Sequence, residues 1–425
     1  MGRLFESRLR AFGIGRKRAS AVPLTKHHTI LAMAPDHVYG AVVEMESGSA
    51  QIVGLAGESL EARAGLPMTQ PDVDCWAIQC DEALSHAEDM TVRHCGRKLV
   101  PDWATISVPV HTTHCHPVVV RRERREPNAG VTEQELASLL RLGYRTAQDE
   151  THAPAETGED IVFGSVAQVS LDDQIVTDPL GLHGEQIQMR LNFSLLPLTW
   201  IRALEIICDR LGLHLQAIVP QEAAYASPLP DSECLLLVVE PHCTSIGLVR
   251  RGRLEWSVLA EMGADDVVEQ AANAFDLRGQ QSRALLTAYR GGRLQQDLEL
   301  KLARVFWKEL RRWMQALAEA VGNNARGTTL PHRIYVVDAS QNLPESVPSL
   351  ETPFWEQLLP FERCPEAHVV DAGIVRKVLD LTAQASAARY LPVRTLAHLA
   401  AQVYTSEHCL DAALIETIRW QTPTA

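Results

Sequence analysis

Apolar and polar positions alternate in blocks along this chain, and one block is especially regular. Leu235 to Val239 is a continuous apolar run bounded by turn residues, which predicts a strand buried on both faces. The turn Glu240-Pro241-His242-Cys243-Thr244 follows. Ile246 to Val249 then predicts a second strand, Arg251-Gly252 a hairpin turn, and Leu254 to Leu259 a third strand. Gly263 closes the segment. The same outline occurs earlier, with strands at Thr29–Ala34, Val38–Met45 and Gln51–Leu55 and turns at Pro35-Asp36-His37 and Ser47-Gly48-Ser49. The two meanders lie about 205 residues apart, and each precedes a helical pattern. That spacing indicates an internal duplication.

The remaining pattern is that of an α/β protein. Helices are expected at Pro71–Glu88, from Thr132 to about Ala147, at Trp200–Leu211, at Ala264–Phe275, from Asp297 to Val321, at Gly373–Ala388 and at Val393–Tyr404. Thr132 and Glu135 have capping-box spacing, and Gly212 is placed to end its helix. Strands are expected at Asp102–Val110, Ile161–Leu171, Gln186–Leu196 and Arg333–Val337, with a polar loop at Asp149–Asp160. Trp307, Trp313 and the apolar positions between Leu300 and Leu317 read as a core-facing helix side.

Composition narrows the classes. A chain of 425 residues, 46% hydrophobic, can build two sizeable lobes. No apolar run reaches the roughly 18 residues of a membrane span, and no signal-peptide core follows the basic start. Nine cysteines without a pairing framework suit a reducing cytoplasm. A net charge of −13 argues against a nucleic-acid-binding body.

The charge is uneven, however. Residues 1–18 carry about +5. On a helical wheel Phe5, Leu9 and Phe12 share a face with Leu4 at its edge, and Arg8 and Arg10 flank them. Such a tail suits peripheral contact with an anionic membrane surface. Met-Gly at the start invites a myristoylation reading, but Glu6 stands where that motif needs Ser or Thr.

Several motifs then converge on one family. Asp178-Pro179-Leu180-Gly181-Leu182-His183-Gly184 resembles the Pro-Leu-Gly-Met-x-Gly signature of FtsA, the bacterial cell-division actin homologue. Leu211-Gly212-Leu213, the helix start Gln221-Glu222-Ala223-Ala224, the helix Glu82–Glu88 and Gly263-Ala264-Asp265-Asp266-Val267 also match that pattern, in the same order, over about residues 28–405. The pilus-assembly protein PilM belongs to the same branch. The resemblance implies an actin-like ATPase fold: two duplicated RNase H-like lobes around a nucleotide cleft, with a small α+β subdomain inserted in the first lobe. The corresponding division is a basic tail and linker at 1–24, the first lobe at 25–110 and 179–230, the insertion at 111–178, the second lobe at 231–370 and C-terminal helices at 371–425.

In that family, glycine-bearing turns hold ATP and aspartates beside them hold magnesium. Glycine lets backbone N–H groups approach phosphate. This chain departs at each turn. Met33 stands at the first aspartate and Pro35, followed by Asp36, at the first glycine. Val238 stands at the second aspartate and Glu240 at the second glycine, with His242 and Thr244 completing that turn. Asp338-Ala339 replaces the adenosine-binding Gly-Gly, while Gly263 keeps its place. Methionine and valine cannot ligate magnesium. A carboxylate about 4 Å from phosphate costs roughly 4 kcal/mol at an effective dielectric of 20. Proline removes a donor.

The expectation is therefore a nonenzymatic pseudo-ATPase scaffold of cell-division or pilus-assembly type, with no cofactor. It would sit in the cytoplasm, peripheral to the inner face of the membrane. It would bind proteins through the insertion, with self-association as a further contact. The alternative is an active, MgATP-binding, filament-forming ATPase. FtsA carries its membrane anchor at the C-terminus, whereas Ser406–Ala425 has Arg419 as its one Lys or Arg against Glu407, Asp411 and Glu416. Any anchor here belongs to the front of the chain. Other groupings carry less. His111, His114, Cys115 and His116, with His94 and Cys95, follow no common zinc spacing. His242 and Cys243 are adjacent, which suits a nucleophile–base pair poorly. Arg121 to Glu126 reads as a solvated hairpin tip.

Overall fold

The structure is a computed structural model. It describes residues 26–60, 73–151, 158–277, 279–322, 329–338, 343–404 and 409–419. The tail residues Leu4, Phe5, Arg8, Leu9, Arg10 and Phe12 lie outside these, as do Ala339 and the expected helix start at Pro71.

In chain order the strands are β1 His27–Met33, β2 His37–Glu46, β3 Ser49–Ser59, β4 Trp103–Val108, β5 His114–Glu123, β6 Glu159–Leu171, β7 Gln174–Val176, β8 Gln186–Pro197, β9 His214–Pro220, β10 Glu233–Val239, β11 Thr244–Arg250, β12 Arg253–Ala260, β13 Arg333–Val337, β14 Glu366–Val369 and β15 Val378–Asp380. The α-helices are α1 Val73–Cys95, α2 Glu133–Thr151, α3 Leu198–Leu211, α4 Gln221–Ala226, α5 Ala264–Asn273, α6 Gln280–Arg290, α7 Gln296–Gly322, α8 Ser346–Leu350, α9 Pro353–Leu358, α10 Leu391–Tyr404 and α11 Cys409–Arg419. The chain divides into two compact units. One is Met1–Ser232 with Val249–Trp256 and Ala372–Ala425; the other is Glu233–Leu248 with Ser257–Asp371.

The main sheet of the first unit has the order β15-β3-β2-β1-β4-β9. β1, β2 and β3 form an antiparallel meander, and β4 and β9 continue it in parallel. Side chains alternate across a strand. Leu31 and Met33 therefore join Trp76, Cys80 and Ala83 of α1 in one core, while His28 reaches Thr105 and Tyr404 of α10 on the other face. The α1 layer lies very close. A Cβ on Gly54 would sit 2.0 Å from the Ala87 carbonyl oxygen, so small residues on both sides set the spacing.

A second sheet in this unit has the order β5-β8-β6-β7. Its core takes Leu136, Leu140 and Tyr144 from α2 and Ala413, Leu414 and Ile418 from α11. Two sequence expectations change here. The inner strand β8, at residues assigned by sequence to the first lobe, instead pairs with β5 and β6 of the insertion. Arg121 to Glu126 is solvated only in part: Arg121, Glu123, Arg125 and Glu126 are exposed, but β5 runs to Glu123 and the Arg124 side chain is buried against the Glu135 carboxylate and the Gly184 carbonyl.

The Pro-Leu-Gly segment is a structural clamp. Gly181 N–H donates to the Val131 carbonyl and Val131 N–H to the Leu182 carbonyl. The expected helix at Gly373–Ala388 is replaced by β15 and turns. The Asp380 carboxylate accepts from the N–H groups of Thr382 and Ala385, which diverts the backbone from helix.

The sheet of the second unit has the order β12-β11-β10-β13-β14, repeating β3-β2-β1-β4-β9. β10, β13 and β14 are parallel, matching β1, β4 and β9. This repeat is the duplication expected from the two meanders. Leu302, Phe306, Leu310, Trp313, Met314, Leu317 and Val321 of α7 form its buried stripe. Trp307 does not belong to it and is 38% exposed, a correction to the core-face reading.

Candidate functional site

The candidate residues occupy strand-end turns in the two units. In the first unit the turn joins β1 to β2. Met33 is fully buried, and its carbonyl accepts a 2.8 Å hydrogen bond from Gln221 Nε2 at the start of α4. Ala34 N–H donates to the His37 carbonyl, which closes the turn across Pro35. The Leu60 N–H donates to the Asp36 carbonyl, and the Asp36 carboxylate meets His37 Nδ1 at 3.0 Å. That hydrogen bond raises the His37 pKa against the lowering effect of partial burial.

In the second unit the turn joins β10 to β11. Val238 is buried in the β10–β13 ladder, opposite Val337. Glu240 N–H donates to the Cys243 carbonyl at 2.9 Å. The N-terminus of α5 then docks on the turn. Ala264 N–H donates to the Glu240 carbonyl at 2.9 Å and Asp265 N–H to the Pro241 carbonyl at 2.8 Å. Gly263 N–H donates to Asp266 Oδ2 at 2.9 Å. Free N–H groups at a helix start make an anion site. Here three of them meet protein acceptors.

Gly263 is required by this approach. A Cβ there would lie 2.2 Å from the Glu240 carbonyl oxygen and 2.5 Å from Cys243 N. The Thr244 hydroxyl is also committed: it donates to the Met262 carbonyl and accepts from Trp313 Nε1, each at 2.9 Å. His242 and Cys243 diverge. His242 Nδ1 contacts Asp266 Oδ1 at 3.1 Å, while Cys243 Sγ donates to Glu240 Oε2 at 3.2 Å. They form no nucleophile–base pair. In the third turn, after β13, Asp338 Oδ2 accepts from Leu343 N–H at 2.7 Å.

The histidine-rich strand is likewise engaged locally. His114 meets Glu159 at 3.1 Å, His116 meets Glu150 at 2.9 Å, and Cys115 Sγ donates to Asn192 Oδ1. Sequence reasoning named the turn positions but missed Gln221, Asp266 and Trp313 as their partners. The Gly263–Asp266 spacing, typical of a helix start, was the available signal for one of them.

No protein-family profile and no curated protein sequence matches the chain. Among solved structures it is similar to PilM in a PilM-PilN type IV pilus biogenesis complex: 14% identity, TM-score 0.60, covering 89% of this chain and 99% of that one. It also matches the ethanolamine utilization protein EutJ from Carboxydothermus hydrogenoformans at 12% identity and TM-score 0.43, covering 92% and 98%. The cytoplasmic domain of EpsL, an inner membrane component of the type II secretion system of Vibrio cholerae, matches at 10% identity and TM-score 0.33, covering 87% and 94%. Of these, the PilM likeness bears on the fold. Together with the repeated strand order, it shows that this chain has the actin-like ATPase fold and is similar to PilM over most of its length.

Proposed function

We propose that this chain is a nonenzymatic actin-fold adaptor of the PilM kind, acting at the cytoplasmic face of a membrane. The observation that carries this reading is the closed second turn. The α5 start directs the Ala264 and Asp265 N–H groups at the turn's own carbonyls, and the buried Glu240 carboxylate, held by Cys243 Sγ, adds a negative charge within the same turn. A polyphosphate there would have to displace both bonds and tolerate that charge. Met33 and Val238 supply no magnesium ligand, so these turns do not fit MgATP.

Without nucleotide, the fold's remaining use is to present surfaces. Of the two roles implied by the sequence resemblance, the pilus role has the support of the PilM likeness. The partner would be a membrane protein of the PilN type, held through the β5–β8–β6–β7 subdomain. Residues 1–18 would add contact with anionic lipid. No helix of the described residues is long and apolar enough to cross a membrane, so on this reading attachment is peripheral.

Isothermal titration with MgATP tests the nucleotide part: no binding is expected up to millimolar concentrations, and micromolar binding would overturn it. Mixing the purified chain with a PilN-type protein of the same cell tests the partner. A stable complex on size exclusion is expected, and separate elution would remove the pilus assignment.

A further inference from the structure

The outward face of α7 is basic, although the chain as a whole is acidic. Leu300 and Trp307 are 53% and 38% exposed. Lys301, Arg304, Lys308, Arg311 and Arg312 are exposed beside them. At about 100° per residue these seven positions fill an arc of about 140°, with Leu300 and Trp307 together toward one margin. From Leu300 to Arg312 the face is about 18 Å long. The stretch contains one carboxylate, Glu309, which is buried and holds Arg312 at 3.0 Å. Arg311 lies over the Phe354 ring. Lys301, Arg304 and Lys308 form no ion pair with a carboxylate among the described residues. Core packing accounts for Leu302, Phe306, Leu310 and Trp313 and leaves this face unexplained.

We propose that this face of α7 is a docking surface for an anionic lipid bilayer. Charge complementarity selects the ligand class, since a concentrated basic face on a chain of net charge −13 is drawn to anions. The shape selects a bilayer over a peptide. A convex helix side offers cations around an arc, which mobile headgroups can follow. Tryptophan at the margin suits the headgroup level, and long Lys and Arg stems lie along the surface with their charges outward. The inference extends the membrane-face reading above and does not depend on nucleotide binding. It also explains how a weak tail contact at residues 1–18 would suffice: two weak contacts in one chain strengthen each other through effective concentration.

The test is sedimentation of the full chain with phosphatidylcholine vesicles containing roughly one-third phosphatidylglycerol. Each basic residue near such a surface strengthens binding about five-fold. The double variant Arg304→Gln/Lys308→Gln should therefore bind about 30-fold more weakly, and Trp307→Ala should weaken binding further. The control Arg93→Gln/Arg202→Gln removes the same charge from exposed sites on α1 and α3 and should bind as the parent does. All these side chains are exposed, so melting temperatures should stay at the parent value.

Equal binding by the α7 double variant and the parent overturns the proposal, as does equal weakening by the control. Capture of polyglutamate in preference to vesicles overturns it in favour of an acidic protein partner. Phe5→Glu/Phe12→Glu in the full chain keeps the two readings separate. Loss of vesicle binding in that variant alone leaves the tail tether standing and removes α7.

Discussion

Gly263→Ala should destabilise the second unit by about 3 kcal/mol and lower its melting temperature by roughly 10 °C. The reason is steric. The new methyl would stand 2.2 Å from the Glu240 carbonyl oxygen and 2.5 Å from Pro241 C and Cys243 N, all of them backbone atoms. Either α5 or the turn must retreat. Retreat loosens the Ala264-to-Glu240 and Asp265-to-Pro241 hydrogen bonds together. Differential scanning calorimetry without ligand checks this. A glycine kept for phosphate access would behave differently: its alanine variant would melt like the parent in the absence of nucleotide. An unchanged melting temperature would therefore sink the closed-turn argument at its central residue.

That glycine illustrates what was legible in the sequence. Its position, at the start of a helix after a three-strand meander, could be read from local pattern. Its task could not, because the atoms that need it are the carbonyls of a turn some twenty residues earlier. Strands were legible for the same local reason. Arg333–Val337 and the β1 and β10 meanders follow from apolar runs bounded by turn residues.

The misreadings share a different cause. A helix was expected at Gly373–Ala388, yet Asp380 captures two N–H groups ahead of it and Val378 pairs with β3. Arg124 looked like part of a charged tip until Glu135, three residues into the capping box, supplied the counter-charge for its buried side chain. Trp307 fitted a helical apolar spacing but lies beside the stripe that packs. In each case a single side chain's hydrogen bonds or a rotation of one position decided the outcome.

The site was legible mainly as departures from a resembling family. Met33, Pro35, Val238 and Glu240 could be seen to lack the usual chemistry. What takes up those positions comes from far along the chain. Gln221 takes the Met33 carbonyl, and Trp313 takes the Thr244 hydroxyl. These replacements are hydrogen-bonded and largely buried, so they stabilise the turns directly. Reverting one residue toward the family pattern would leave the remaining protein bonds in place. On the adaptor reading, single reversions restore no nucleotide binding.

Acid should weaken the first unit through one histidine. His28 is buried beneath α10, with Nε2 2.9 Å from Thr105 Oγ1 and its ring 5.8 Å from that of Tyr404. Burial pushes its pKa from 6.5 down to about 3. The folded state thus binds this proton less readily than the unfolded state. Its neutral form is favoured in both states above pH 6.5, so no stability is lost there. Below that value the unfolded chain takes up the proton and the folded chain does not, until about pH 3. Stability should fall by about 1.4 kcal/mol per pH unit across that window, or about 3 kcal/mol by pH 4.5. Carboxylates also titrate in this range, so the informative quantity is a difference. His28→Asn, compared with the parent by denaturant unfolding from pH 7.5 to 4.5, should be the less stable protein at neutral pH. The gap should close as pH falls, because the variant lacks this proton. Two curves that stay parallel over that range would show that His28 is protonated in the folded state at its ordinary pH, and that the α10 layer does not exclude water from it.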